Sequence, residues 1–147
     1  MIYTDSGKYA IRALTYLAIQ PEEKLPVAAA EIARAEGIPP YYLAKVLQDL
    51  ARADLLTSVR GRGGGFKLKR PAEKITVIEI LEAVENIRRI TKECVLGLDQ
   101  CTDATPCPMH DSWKQFRETL LEGLGQNTLA MLAAEMRRKR AAAARAS

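Results

Sequence analysis

The strongest constraint on the fold comes from two amphipathic segments, residues 27–36 and 40–53, which are separated by a turn that begins at Gly37. Glycine at that point is typical of a helix that ends in the left-handed conformation, and Pro40 is tolerated in the first turn of a new helix. Apolar residues recur at three- and four-residue steps along the second segment, which predicts an amphipathic helix. Its core-facing residues are Leu43, Val46, Leu47 and Leu50. Such a helix pair is typical of a helix-turn-helix.

A glycine-rich loop follows the helix pair and narrows the choice of fold. Residues 55–59 and 66–69 alternate in polarity like the strands of a hairpin, and residues 60–65 between them read Arg-Gly-Arg-Gly-Gly-Gly. No helix is predicted directly after the loop, which disfavours a phosphate-binding loop. Glycines allow a close approach to a partner, and arginines at the tip can enter a narrow minor groove. The pattern predicts the wing of a winged helix, with a purely structural hairpin as the alternative.

One helix before this unit and three after it complete the prediction. The first spans about residues 6–19, with Asp5 or Ser6 as its cap. A capping box, Thr76-Val77-Ile78-Glu79, opens a helix to about Asn86. The next helix runs over about residues 111–124, and after a break at 125–128 a last helix follows. The helix over residues 111–124 has an apolar stripe that belongs either to the core or to a two-fold dimer interface, and this stripe consists of Trp113, Phe116, Leu120 and Leu124.

The predicted fold class is therefore mainly α with a small β-hairpin wing: a winged helix-turn-helix plus a long C-terminal dimerisation helix. Residues 1–75 would form the DNA-binding region, and residues 76–136 a ligand loop with the dimerisation helices. Residues 137–147 are predicted to be a basic, disordered tail.

Positive charge is concentrated in two places, although the net charge is only +4. The tail carries five basic residues and no acid, and residues 60–70 carry another five and no acid. Such clusters of positive charge are typical of proteins that bind polyanions. The alternative is a solvated surface patch that binds nothing. Tyr41, Lys45 and Gln48 would face the major groove. The full set predicted to contact double-stranded DNA, at a palindromic operator, is Lys8, Tyr41, Lys45, Gln48, Arg60, Gly61, Arg62 and Lys67.

All three cysteines of the chain and its only histidine lie in one stretch, residues 94–110. The residues between them are mainly turn formers without helical or strand periodicity, and a loop of this length inside a domain tends to be functional. Thiolates and imidazole are ligands for iron–sulfur clusters, zinc and copper. The predicted metal ligands are Cys94, Cys101, Cys107 and His110.

The chain has no apolar run long enough for a membrane span and no secretory signal, so we expect a cytoplasmic protein that does not contact a membrane. An odd number of cysteines in a reducing compartment favours metal or redox chemistry over a disulfide framework.

With these features the chain resembles the Rrf2 family of bacterial transcription regulators, which has IscR-like and NsrR-like members. The resemblance extends to about Glu135 and rests on four segments of this sequence and on the three cysteines. These segments are Ser6-Gly7-Lys8-Tyr9-Ala10, Tyr42-Leu43, Val59-Arg60-Gly61 with Gly63-Gly64-Gly65-Phe66, and Cys107-Pro108-Met109-His110 followed by Trp113.

The resemblance implies a dimeric winged-helix regulator whose DNA affinity follows the state of an iron–sulfur cluster that senses iron, redox or nitric oxide status. The three cysteines would ligate it, and His110 falls at the fourth-ligand position of a 2Fe–2S site. Lys8 stands where some NsrR-like proteins have an acidic 4Fe–4S ligand, so 4Fe–4S remains only a possibility. Ala44 replaces a glutamate of the IscR-like recognition helix. We therefore expect this protein not to discriminate between operator types through that position.

Three alternatives remain open from the residues themselves. Three cysteines and one histidine also make a closed structural zinc site. A metal-free thiol redox sensor would use the same cysteines. An enzyme with Cys107 as nucleophile and His110 as base is disfavoured, since the sequence shows no orienting third group and no oxyanion-binding motif. We therefore predict that the protein is not an enzyme.

Overall fold

Six helices and one hairpin form the protein in the computed structural model, which describes residues 2–147. The helices are α1 (Asp5–Ile19), α2 (Ala29–Glu36), α3 (Pro40–Arg52), α4 (Val77–Val84), α5 (His110–Gln126) and α6 (Leu129–Ala146). The strands are β1 (Leu56–Val59) and β2 (Gly65–Leu68). Short 3₁₀ helices span Glu22–Lys24, Ala72–Lys74 and Ile87–Thr91. No helix within residues 2–147 has both the length and the apolarity to cross a lipid bilayer.

The core forms where α1 crosses the helix pair. Successive turns of α1 bury small and large apolar side chains in one cluster with the inner face of α3, and both sets are almost completely inaccessible to solvent. Burial of each large side chain stabilises the fold by roughly 1.5–3 kcal/mol relative to its exposure. The residues that meet are Ala10, Ala13, Leu14 and Leu17 of α1 with Leu43, Val46, Leu47 and Leu50 of α3. The predicted stripe of the second helix is confirmed, and its polar side is left facing outward.

The hairpin is tied to the helix pair by its second strand. β1 and β2 pair antiparallel with Leu56 opposite Leu68. Phe66 of β2 also exchanges two backbone hydrogen bonds with Val27, whose N–H lies 3.0 Å from the Phe66 oxygen. Because Val27 is extended in this bridge, α2 begins at Ala29 and not at Val27 as predicted. The wing is confirmed within one residue at each strand, and this bridge fixes its position.

The start of α1 differs from the prediction. Thr4 is the N-cap, and neither Asp5 nor Ser6 caps the helix; the backbone N–H of Thr4 donates to a Glu85 carboxylate oxygen at 2.9 Å. A carboxylate at this end of a helix is favoured by the helix dipole. The N-cap residue of α1 is therefore held by a carboxylate 81 positions away in the sequence, which local patterns cannot reveal.

The capping box of α4 is present as predicted. The Glu79 backbone N–H donates to the Thr76 hydroxyl, and the Thr76 backbone N–H donates to the Glu79 carboxylate at 2.8 Å. Burial alone would raise the pKa of Glu79, but hydrogen bonds from Thr76 and Arg70 outweigh it and hold that pKa below its ordinary value. The capped helix begins at Val77 and ends at Val84, before the predicted end at Asn86.

Replacing Thr76 with alanine is expected to lower the free energy of unfolding by about 1 kcal/mol, because the Glu79 N–H loses its side-chain acceptor. Urea denaturation of both proteins at neutral pH would measure the difference. Thr119→Ala, at an exposed position inside α5, is the matched control and should cause no loss. Equal stabilities of the Thr76→Ala variant and the parent would contradict the role of the cap.

The C-terminal helices are longer than predicted. α5 includes Gly125 and ends at Gln126, so the break before α6 is confined to residues 127 and 128. The tail predicted to be disordered continues α6 as a helix to Ala146. Alanine, arginine and lysine are strong helix formers, and two arginines of the tail also hold it to the body. Arg137 donates to the Ala18 oxygen, and Arg140 pairs with Glu36 at 3.0 Å.

Candidate functional site: recognition surface and cysteine loop

The outer face of α3 presents the residues predicted to enter the major groove. Tyr41, at the second position of the helix, is 92% exposed, and Lys45 and Gln48 follow on exposed positions of the same helix. The neighbouring Tyr42 instead packs edge-on against Tyr9 and accepts a hydrogen bond from Ser6. The N-terminal turn of α3 is thereby held against α1 while its outer face remains free.

The arginines at the tip of the wing lie in a turn whose backbone conformation favours glycine. Gly61 and Gly63 have φ of +91° and +73°, and Gly64 donates to the Gly61 oxygen at 3.0 Å to close the turn. Arg60 and Arg62 are exposed on either side of Gly61. Arginines on an exposed loop tip are the side chains that the negative potential of a narrow minor groove attracts.

The other predicted DNA contacts lie on less prominent surfaces. Lys67 is exposed on β2, and Lys69, just after the end of that strand, pairs with Asp54 at 2.8 Å. Lys8 lies half-exposed in the second turn of α1, 3.8 Å from Asp5. Lys67 is thus free to meet a phosphate, whereas the charges of Lys8 and Lys69 already have acidic neighbours.

The cysteine loop, residues 92–109, brings its sulfur and nitrogen donors together in pairs. Cys94 Sγ lies 3.6 Å from Cys107 Sγ, and Cys101 Sγ lies 3.1 Å from His110 Nδ1. All three cysteines are free thiols that are half-buried, and His110 is buried. Within residues 2–147, no three or more His, Cys, Asp or Glu side chains are grouped so that they could hold one metal ion. The four predicted ligands therefore form two separate close pairs.

Backbone amides surround the sulfur of Cys94, in the first pair. Hydrogen bonds from the N–H groups of Leu98 and Leu96 lower the pKa of Cys94 below its ordinary value, with smaller contributions in the same direction from Cys107 and Gly97. The chain curls back because Gly97 adopts φ +74° and donates to the Cys94 oxygen at 2.9 Å. Amides directed at sulfur favour a thiolate, which is the form that binds metals.

A buried guanidinium accompanies the second pair. Arg117, only 8% exposed on α5, donates from Nη1 to Cys101 Sγ at 3.0 Å. On the other side, His110 Nε2 lies 2.8 Å from an Asp103 carboxylate oxygen, and Lys114 Nζ lies 3.1 Å from each oxygen of that carboxylate. Hydrogen bonds from His110 and Lys114 lower the pKa of Asp103.

Sequence reasoning did not find Asp103, Lys114 and Arg117. One signal was available: in a helix that starts at His110, residues 110, 114 and 117 follow at four- and three-residue steps and share one face. The nucleophile–base pair weighed for an enzyme does not form, because the His110 ring contacts Cys101 while Cys107 contacts Cys94.

The predicted dimer stripe starts beside the cysteine loop and runs along α5. Trp113 stacks on Phe116 with ring centroids 5.6 Å apart and donates from Nε1 to the Glu93 oxygen. Phe116 is 48% exposed, and Leu120 is half-buried. Leu124 packs against the buried cluster that α4 forms with Ile87, so its side chain belongs partly to the core.

Comparisons with known proteins agree with this architecture. The family model described as Rrf2, an iron-dependent transcriptional regulator, matches residues 3–135. The HTH-type transcriptional regulator IscR of Xenorhabdus nematophila is 33% identical over 129 residues, which are 88% of this chain and 77% of that protein.

Two solved structures show the same fold. CymR, the global cysteine regulator of B. subtilis, superposes with a TM-score of 0.76 at 25% identity, over 90% of this chain and 95% of that one. IscR of T. potens superposes with a TM-score of 0.72 at 26% identity, over 90% and 86% of the two chains. A family match over most of the chain, relatives named as transcription regulators and a winged helix-turn-helix together establish that this chain belongs to the Rrf2 family of DNA-binding transcription regulators.

Proposed function

We propose that this regulator binds operator DNA as a homodimer through α3 and the wing, and that an iron–sulfur cluster in the cysteine loop controls its DNA affinity. The observation that carries the proposal is the convergence of all three cysteines and the only histidine into two close donor pairs at the start of α5. The similarity to IscR proteins supports a cluster at this place.

The DNA contacts in this proposal divide by their chemistry. Gln48 can pair bidentately with adenine and Lys45 can reach guanine, so α3 would read sequence in the major groove. Arg60 and Arg62 would occupy the minor groove, where a narrow groove strengthens the attraction of arginine. Lys67 would contribute affinity and salt dependence through phosphate without sequence choice. A two-fold dimer would present two copies of this surface to a palindromic operator.

The donor set fits a 2Fe–2S cluster, which Cys94 and Cys107 would hold as one pair and Cys101 and His110 as the other. Two thiolates on one tetrahedral metal at about 2.3 Å lie about 3.8 Å apart, close to the 3.6 Å between Cys94 and Cys107. Cys101 and His110 supply the second pair. When bound, the cluster supplies one-electron chemistry whose potential depends on ligand charge and on hydrogen bonds to sulfur.

The chain's own residues link this loop to the rest of the protein. Trp113 fastens α5 to the Glu93 backbone, and Arg117 fastens the same helix to Cys101. A change in the loop therefore changes how α5 is held, and α5 packs on α4, which packs on α1 and α3. A coupling of about 1–3 kcal/mol, typical of allosteric pairs, would change operator affinity roughly 5–150-fold.

The proposal predicts a coloured protein. Protein purified without oxygen is expected to absorb visible light and to carry about two irons and two sulfides per chain, and His110→Ala should lose most of this colour. The absorption spectrum, with iron, sulfide and zinc counted on the same sample, is the measurement. Asp111→Ala, which changes the exposed neighbour of His110, is the control and should keep its colour.

The counts separate the alternatives. Four irons per chain would keep a cluster-binding regulator but move its fourth ligand away from His110. A colourless protein with one zinc per chain would contradict the cluster and leave a structural zinc loop in a DNA-binding protein.

A metal-free thiol sensor is the second candidate, because Cys94 and Cys107 lie 3.6 Å apart and backbone amides lower the pKa of Cys94. Hydrogen peroxide would accept two electrons and two protons from the two thiols, which would form a disulfide and release two molecules of water. Colourless, zinc-free protein in which peroxide joins only Cys94 and Cys107 would favour this candidate over the cluster.

A further inference from the structure

The two ring nitrogens of His110 have different surroundings, and this difference determines which of them can bind a metal. Nδ1 faces the Cys101 sulfur at 3.1 Å, whereas Nε2 faces the Asp103 carboxylate at 2.8 Å. His110 is only 4% exposed, so the ring has little freedom to exchange these partners. Any metal that Cys101 binds would lie on the Nδ1 side of the ring.

Asp103 lies against the ring nitrogen that faces away from Cys101. A carboxylate oxygen accepts hydrogen bonds, so the contact at 2.8 Å favours the tautomer of His110 that carries its proton on Nε2. In a neutral imidazole the other nitrogen then has a free lone pair. That nitrogen is Nδ1, which is the one beside the Cys101 thiol.

The carboxylate of Asp103 is itself held in place. Lys114 Nζ lies 3.1 Å from both carboxylate oxygens. His110 and Lys114 are four residues apart on α5, so the first turns of that helix grip one loop carboxylate from two points. Asp103 is largely exposed, but its two partners fix its direction.

We propose that His110 binds metal through Nδ1 and that Asp103 is the positioning residue that fixes its tautomer and orientation. The inference rests on the proposed metal site, yet it holds for a cluster or a single metal ion, because it concerns only the chain's own donor. Carboxylates that accept from the second nitrogen of a metal-bound histidine orient the ring and raise its basicity, and their removal typically costs 10–100-fold in metal affinity or activity.

The ligating nitrogen can be identified directly, because His110 is the only histidine. Protein labelled with nitrogen-15 in histidine and loaded with cadmium-113 is expected to show a one-bond cadmium coupling to Nδ1. The Nε2 proton should remain visible and exchange slowly. A coupling to Nε2, or the absence of any coupling to the ring, would overturn the inference.

A variant series tests the role of Asp103. Asp103→Ala is expected to weaken cobalt(II) binding by about tenfold or more, measured by competition with a chelator under reducing conditions. Asp103→Asn keeps an oxygen that can accept from Nε2 and should recover most of the affinity. Asp111→Ala removes a carboxylate next to His110 in the sequence and is the matched control. Equal affinities of the Asp103→Ala variant and the parent would overturn the inference, as would equal losses in the alanine and asparagine variants.

The two proposals fail in different measurements. Cadmium coupling to Nδ1 in a protein that never acquires iron and sulfide would retain the present inference and end the cluster proposal. A normal iron and sulfide content together with coupling to Nε2 would do the reverse.

Discussion

Replacing Phe116 with glutamate is expected to dissociate the proposed homodimer into monomers and to lower operator affinity at least about a hundredfold, toward nonspecific binding. Phe116 is 48% exposed and stacks on Trp113 beside the cysteine loop. Together with the partly buried Trp113 and Leu120 it forms an exposed apolar patch, which is typical of an interaction surface. A two-fold interface would place each new carboxylate in an apolar surface, where an uncompensated buried charge costs about 3–5 kcal/mol.

The measurement is the molar mass in solution by light scattering, followed by a titration of labelled operator DNA. Leu120→Glu, one helical turn further along the stripe, is a second variant and should act in the same direction. Gln115→Glu adds the same charge on an exposed position of a different face of α5 and is the matched control. Its molar mass and operator affinity should equal those of the parent.

A folded Phe116→Glu protein that keeps the molar mass of a dimer and full operator affinity would contradict the predicted interface. Circular dichroism distinguishes this outcome from loss of structure. Because Phe116 is half-exposed, its replacement should leave the two buried clusters of the monomer intact.

The sequence predicted the elements whose signals are local. The stripe of α3, the glycines of the wing and the capping box of α4 each depend on residues within a few positions of one another, and all are present. The prediction was wrong where a distant contact decides. Val27 is held in an isolated bridge by Phe66, and the N-cap residue Thr4 donates its backbone N–H to Glu85. The tail was predicted to be disordered from its composition alone, although alanine, arginine and lysine are also strong helix formers, and it is helical.

In the candidate site, too, the local features were predicted from the sequence and the contacts between distant residues were not. The sequence shows that three cysteines and a histidine form one donor set, but it does not show which donors lie close to each other. The pairing of Cys94 with Cys107 depends on the curl at Gly97 and on the path of the whole loop. Arg117 is one of many arginines in the chain, and only its burial against Cys101 distinguishes it. The helical spacing from His110 places Arg117 on the same face of α5, but the sequence does not show that its guanidinium is buried against a sulfur.

Replacing Gly65 with alanine is expected to cost about 2–4 kcal/mol of unfolding free energy and to lower operator affinity about tenfold or more. Gly65 has φ +151°, and a Cβ at this position would lie 2.2 Å from the Val27 oxygen. Strained backbone costs about 1–3 kcal/mol. The collision can be relieved only by moving β2 away from Val27, which weakens the two hydrogen bonds between Val27 and Phe66. Each such bond contributes about 0.5–1.5 kcal/mol.

The same movement carries Arg60 and Arg62 away from the position that the bridge gives them, which is why both stability and DNA affinity should fall. Gly125→Ala makes the matched substitution in the last turn of α5, where a Cβ meets nothing within 4 Å. There alanine should stabilise the helix by about 0.5–1 kcal/mol and leave operator affinity unchanged. Urea denaturation and fluorescence anisotropy with labelled operator measure the two quantities. Loss of stability in Gly65→Ala with full affinity would mean that the wing does not contact DNA, whereas no loss of stability would mean that the bridge to Val27 does not hold the wing.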